Sequence, residues 1–278
     1  MSALIECVPN FSEGADTSLI EEIVAAVKTA KVLDLHSDPD HNRSVVTMIG
    51  SPDEVKQAAF DLTERAMQLL DIRKHKGEHP YVGVVDVVPF IPIKNTSVEE
   101  TIQLAREFGQ KVAAELALPV YFYGEINHKE LPAVRKGGSD PDLGKGRHST
   151  AGAVAVGVRD YLIAFNINLN TRDLNIAESI AGNIREKNGG LPGVRALGVD
   201  LESRGLTQVS INLVDHKKTS LKQIFDSVNR WSKEYGVGIV ESELVGLLPR
   251  SAVFSDMKEY LKLSAFSDRQ ILDNHLPA

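Results

Sequence analysis

A chain of 278 residues has room for two ordinary domain cores, and its 42% hydrophobic and 25% charged residues are the proportions of a folded globular protein, not a disordered one. A net charge of -7 argues against nucleic-acid binding, which needs a basic field to displace counterions. It leaves small anions open as ligands, because basic residues bunch in RKHK (73–76) and GKGRH (144–148). The single cysteine, Cys7, leaves no internal disulfide to form and fits a reducing compartment, and neither a signal peptide nor a membrane-length apolar run is legible. A cytoplasmic chain with no membrane partner is the expectation.

Along the chain, ALIECVP reads as a strand, TSLIEEIVAAVKTA as an amphipathic helix, and KVLDLHS and RSVVTMIG as two further strands. A helix over SPDEVKQAAFDLTERAMQLL opens with Ser51 as N-cap, Pro52 at the first helical position and Glu54 at the third. The strand VGVVDVVPFI, the helix SVEETIQLAREFGQKVAAELA and the strand PVYFYGE follow. Residues 126–152 read as a loop rich in Gly, Pro, Asp and charge, and a loop that long is usually functional or disordered. The second half gives a strand (DYLIAFNINLN), a helix, two strands, a helix and a strand (VGIVESELVG).

That β-α-β-β-α-β series, preceded by the same series with an added helix and strand, implies an α+β fold. We expect a tandem duplication of ferredoxin-like βαββαβ subdomains with a substrate cleft between them. The seam is set near residues 170 to 178, giving domains 1–175 and 176–278.

Three constellations carry chemistry. HSDPDHNRS places His36, Asp38, Asp40, His41 and Arg43 directly after a strand. Its H-x-D-x-D-H spacing lies one substitution from a dinuclear-metal hydrolase pattern, but its composition also suits a substrate-lining loop or a plain turn. RKHKGEHP offers His75 and His79, four apart but separated by Gly77 and followed by Pro80, so the pair is not a helical zinc motif. A histidine held between Gly-Glu and Pro at the mouth of an apolar strand is placed like a general base; a solvent-facing histidine in a cationic loop fits these residues equally. In GKGRHSTAG, small residues around Thr150 and Gly152 let backbone N–H groups approach an anion, assisted by Lys145, Arg147 and His148. Asn166 and Asn168 alternate along a strand and so share a face, which reads as a polar site wall or a solvent-facing edge.

The strings ECVPNFSEG, DPDHNRSV, KGEHP followed by DVVPFIP, PVYFYGE, TAGAVAVGVR and LIAFNINLN, in this order, resemble the formiminotransferase family from residue 3 to about residue 250. The resemblance implies two ferredoxin-like subdomains around a folate cleft, in a homodimer. It implies transfer of the formimidoyl group of N-formimidoyl-L-glutamate to N5 of tetrahydrofolate, a co-substrate, without a metal. It also places the catalytic histidine at His79, demoting His75 to a cationic neighbour, and the folate-binding segment at 144–152.

With that chemistry, Gly144, Lys145, Arg147, His148, Thr150 and Gly152 are expected to hold the carboxylates of folate or of the donor. Arg43 is a second candidate for the carboxylate clamp, since its planar fork suits bidentate pairing. Asp38 or Glu78 would orient the imidazole or face the amidinium, Asn166 and Asn168 would bond the pterin or the amidine, and Asn10 joins the substrate contacts. The animal enzymes carry Asp where this chain has His36 and continue into a cyclodeaminase domain. This chain ends first, so 5-formimidoyltetrahydrofolate is expected to be released without deamination. Two alternatives remain: formyl transfer between 5-formyltetrahydrofolate and glutamate, and non-catalytic binding of folate or a small anion.

Overall fold

In the computed structural model, which describes residues 3–136 and 139–276, the opening strand is broken by a proline. β1 (Leu4–Cys7) and β2 (Asn10–Phe11) keep one antiparallel register along β4 (Arg43–Gly50), with Ile5 opposite Gly50 and Asn10 opposite Val45. Pro9 has no N–H to give the ladder, yet its carbonyl accepts from Val46 N at 3.0 Å and Val8 N donates to Pro89 O at 3.2 Å, so pairing bridges the break. β5 (Val85–Lys94) flanks the other side of β1 and β2, and β3 (Lys31–Asp38) flanks β4, all antiparallel. β7 (Val154–Val158) and β6 (Val120–Gly124) extend the sheet beyond β5 in parallel, giving the order β3-β4-β1/β2-β5-β7-β6.

Helices α1 (Thr17–Val24), α2 (Pro52–Leu69) and α3 (Val98–Glu115) bury one face of this sheet, bringing Val55, Leu62, Leu104 and Phe108 into one core with Val46, Met48, Phe90 and Val156. The expected capping pattern of α2 is present: Ser51 N donates to the Glu54 carboxylate at 2.8 Å, with Pro52 first in the helix. On the opposite face Val82, Val87, Tyr121, Tyr123 and Ala155 form a small cluster with Leu131 and Val134 of α4 (Leu131–Lys136). Strand alternation sends Glu6 and Thr47 to that face too, since Ile5, Cys7, Val46 and Met48 belong to the helix-covered core. The stretch 126–152, expected as loop, thus contains a helix of six residues. Such a turn is too short for helical periodicity to announce it.

The second unit is β8 (Ile163–Leu169), α5 (Leu174–Ile184), β9 (Val194–Leu201), β10 (Leu206–Leu213), α6 (Leu221–Glu234) and β11 (Ile239–Val245), followed by the short α7 (Met257–Tyr260). Its sheet is antiparallel throughout in the order β11-β8-β10-β9. Phe165, Ile167, Val209 and Ile211 face the buried sides of α5 and α6. The chain divides at Asp160/Tyr161 and not after residue 175, because β8 pairs with both β10 and β11 and so belongs to the second sheet. No helix among the described residues is long and apolar enough to cross a membrane.

Candidate active site

The connection between α2 and β5 carries the GEHP string, and neighbours pin it on two sides. On one side Ile72 N donates to Thr150 O at 2.7 Å, Val84 N to Ala151 O at 2.9 Å and Ala153 N to Val82 O at 3.3 Å. Only glycine fits at 83, where a Cβ would stand 2.2 Å from Ala153 O. On the other side Asn42 Nδ2 donates to Lys76 O at 2.8 Å, Glu78 N to Asp40 O at 3.3 Å, and a Cβ on Gly77 would meet His41 O at 2.5 Å. Three segments singled out by sequence, the turn after β3, the GEHP loop and the end of 144–152, are therefore held together by backbone bonds.

At their junction lies a buried carboxylate that sequence reasoning passed over. Asp86 Oδ1 accepts from Val82 N at 2.8 Å and from Arg135 Nε at 3.3 Å; Oδ2 accepts from Arg43 Nη1 at 2.7 Å and from Arg135 Nη2. With its lone pairs occupied, Asp86 is an electrostatic anchor and not a base. Arg43 in turn gives Nε and Nη2 to Asn10 Oδ1, at 2.8 and 2.6 Å, and Asn10 Nδ2 donates to Val8 O at 2.8 Å across the break between β1 and β2. The Arg43 Nη1 atom also lies 2.9 Å from His79 Nδ1.

His79 Nδ1 is also 2.8 Å from Pro80 O. A guanidinium only donates and a carbonyl only accepts, so one Nδ1 cannot bond both. With the proton on Nδ1, the ring donates to Pro80 O and leaves Nε2, which makes no hydrogen bond among the described residues, with a free lone pair. Burial and the Arg43 and Arg135 charges hold the His79 pKa well below its ordinary 6.5, outweighing the pull of Asp86 and the Pro80 carbonyl, so the ring is neutral at pH 7. Arg43 itself is lowered to about 10, mainly by burial, with Asp86 opposing and Arg135 adding repulsion. Burial pushes the Asp86 carboxyl up, but the two guanidiniums pull it down further, far below the usual carboxylate range. Two arginines share one carboxylate, and the site holds a surplus positive charge.

The remaining sequence candidates are arranged as follows. Asp38 accepts from His41 N at 2.8 Å and so shapes the turn; it does not touch the His79 ring, which has the His41 ring 6.0 Å away, centroid to centroid. His75 packs edge-on against Tyr81 at 4.6 Å with Nδ1 3.3 Å from Asn42 Nδ2. The backbone N–H groups expected near Thr150 are used within the segment: Ala151 N donates to His148 Nδ1 at 3.1 Å and Gly152 N to His148 O at 2.9 Å. Ala151 N and Gly152 N are therefore not open to an anion. Gly144, Lys145 and Gly146, with Asp140 and Pro141, line a cavity of about 380 Å³. Asn166 and Asn168 lie in the second unit, in a network of amides and carboxylates on the sheet face away from α5 and α6. No group of three or more His, Cys, Asp or Glu among the described residues is placed to hold a metal ion.

Asp86 and Arg135 escaped the sequence reading. A lone carboxylate inside the apolar run VGVVDVVPFI was the available signal, because such a group must find partners. Arg135 sits in a stretch without periodicity and gave none.

The chain matches the model of the formiminotransferase domain, N-terminal subdomain, over residues 4–159 and that of the formiminotransferase domain over residues 164–273. The chain belongs to the formiminotransferase family. The boundary between the two family models falls where the two sheets separate. A glutamate formimidoyltransferase of Thermoplasma acidophilum is 39% identical over 99% of this chain and 97% of its own length, and one from Streptococcus pyogenes serotype M1 is 38% identical over 99% of each. The formimidoyltransferase-cyclodeaminase of Rattus norvegicus is 40% identical over 91% of this chain, which spans 51% of that longer protein.

Proposed function

We propose that this chain transfers the formimidoyl group of N-formimidoyl-L-glutamate to N5 of tetrahydrofolate, giving 5-formimidoyltetrahydrofolate and L-glutamate. The observation that carries the reading is His79, held below its ordinary pKa between Arg43 and the Pro80 carbonyl, in a chain that aligns almost end to end with glutamate formimidoyltransferases; we take the tautomer protonated on Nδ1. N5 attacks the amidine carbon, and His79 Nε2 takes the N5 proton as the tetrahedral intermediate forms. The imidazolium, still donating from Nδ1 to Pro80 O, then returns that proton to the glutamate nitrogen as the C–N bond breaks. One histidine serves both steps, and the Pro80 bond need not change between them. The arginines favour the return of the proton by destabilising the imidazolium.

Lys145 and Arg147 supply charge for the carboxylates of the folate tail, beside the cavity lined by Gly144 and Lys145, and in the second unit the amides of Asn166 and Asn168 offer hydrogen bonds to a heterocycle. We read the fold as a tandem duplication of ferredoxin-like units. In support, β1/β2-β3-β4-β5 and β8-β9-β10-β11 each pair second strand to third, third to first and first to fourth. A homodimer completes the proposal, checked by light scattering.

The test is the purified protein with tetrahydrofolate and formimidoylglutamate, followed by the mass of the product. Formation of 5-formimidoyltetrahydrofolate is expected without added metal. Product from 5-formyltetrahydrofolate and glutamate alone would transfer the assignment to formyl exchange, and loss of activity on chelation, with stoichiometric metal by elemental analysis, would overturn the metal-free mechanism.

A further inference from the structure

The mechanism uses Arg43 as a neighbour of His79 and gives Arg135 no substrate. Their donor inventories differ. Arg43 gives three hydrogen bonds inside the protein, two to Asn10 and one to Asp86, and has His79 Nδ1 as a further neighbour. Arg135 directs only its Nε/Nη2 edge at Asp86. A guanidinium has a second parallel edge, Nη1/Nη2, suited to another carboxylate, and among the described residues Nη1 has no hydrogen-bond partner. The side chain is 14% exposed, so Arg135 is sheltered from water without being sealed. A buried cation pair with one shared carboxylate is completed by a second anion, since uncompensated charge is costly to hold in a low dielectric.

We propose that the Nη1/Nη2 edge of Arg135, with Arg43 locked behind it by Asn10 and Asp86, is the subsite for the α-carboxylate of the amino-acid donor. The choice of α over γ follows from the chemistry of the transferred group. The nitrogen that leaves is bonded to Cα, and the α-carboxylate is bonded to the same carbon. A group protonated by His79 therefore brings its α-carboxylate to the cations around that ring, whereas the γ-carboxylate is two methylenes further away and free to point elsewhere. The bound carboxylate would neutralise the surplus charge of the Arg43, Arg135 and Asp86 cluster, so donor binding would ease the protonation of His79 in the first half of the reaction, as N5 attacks. Arg135 is then a determinant of donor specificity, fixed to the site through Asp86.

This inference rests on the formimidoyl-transfer reading, and the experiment separates the two. Steady-state kcat/KM is measured for N-formimidoyl-L-glutamate, its α-amide (the isoglutamine derivative) and its γ-amide (the glutamine derivative). Wild type is expected to reject the α-amide by about 100-fold, the scale for an unmatched buried charge, and the γ-amide by less. In Arg135→Gln the penalty on the α-amide should fall to within about 3-fold while the KM for tetrahydrofolate is unchanged, and Arg135→Lys should keep part of the discrimination, charge without the fork. Undiminished discrimination in Arg135→Gln overturns the subsite. Should that variant not fold by circular dichroism, the wild-type series decides: a γ-amide penalty equal to or larger than the α-amide penalty overturns it. If wild type does not turn over formimidoylglutamate at all, the transfer reading fails on its own. Calorimetry then tests the subsite separately, with L-glutamate binding weakened by about 30-fold or more in Arg135→Gln expected, and equal binding fatal to it.

Discussion

The two sheets share one order of strand pairing, and each keeps a polar set on the face that α1–α3 or α5–α6 do not cover, yet the two sets are built in opposite senses. In the first unit Arg43 and Arg135 converge on Asp86, two cations on one anion. In the second, Asn166 and Gln208 donate to Glu243 at 3.1 Å each, Gln208 donates to Asn168 at 2.9 Å, and Asn168 donates to Glu241 at 3.2 Å, which pairs with Arg204. There two anions meet one cation, buffered by neutral amides. The comparison teaches that strand order does not decide chemistry. One framework carries a surplus positive charge beside a titratable ring, and the other carries a ladder of hydrogen bonds with a surplus of negative charge.

The contrast predicts unequal responses to equal surgery. Asp86→Asn strips the counter-charge from two buried guanidiniums and should cost about 3–5 kcal/mol in chemical denaturation. Gln208→Met in the second unit removes a neutral donor of similar shape and should cost about 1–3 kcal/mol. Equal losses would break the distinction between a charged and a neutral face. His79→Ala should lower turnover by roughly 100-fold or more while folate still binds and stability barely changes, because the residue is at the chemistry and not in the core. Near-normal turnover in that variant would sink the assignment of His79.

How much of this was legible beforehand varies with the kind of signal. The second unit could be read almost whole from β8 to β11, since its strands and its helices α5 and α6 are long and periodic and the helices are capped by local chemistry, as with Ser220 N donating to Gln223 at 2.8 Å where α6 begins. His79 stood out through its string, and Arg43 through its position after a strand. Asp86 and Arg135 are 49 positions apart and meet only because α4 lies over β5 and β6, so no local pattern encodes their pairing. The backbone N–H groups near Thr150 were half legible for a related reason: composition shows that N–H groups can approach an anion, but not that the His148 side chain already accepts from Thr150 N and Ala151 N.

The smallest effect is the most specific, because two groups in the first unit should respond to acid with opposite signs. His79 has a folded pKa below its unfolded one, so the unfolded chain binds its proton first. Stability is therefore lost as the pH falls below the ordinary 6.5, with a slope of at most about 1.4 kcal/mol per unit. Glu6, on β1 and buried, is raised from 4.5 to about 7 by burial, with Arg159 opposing. Here the folded chain binds the proton first, so stability is lost as the pH rises from 4.5 through about 7. In wild type the two oppose each other between those values, with His75, also lowered by burial, adding to the His79 side and Asp34, raised by burial, to the Glu6 side. His79→Gln should remove the acid-side loss and make stability fall with rising pH, while Glu6→Gln should leave the His79 loss exposed and make stability fall with falling pH. Denaturation midpoints of the two variants across about pH 5 to 7 would then tilt in opposite directions, and profiles tilting the same way would show that one of the two groups is not in the environment described here.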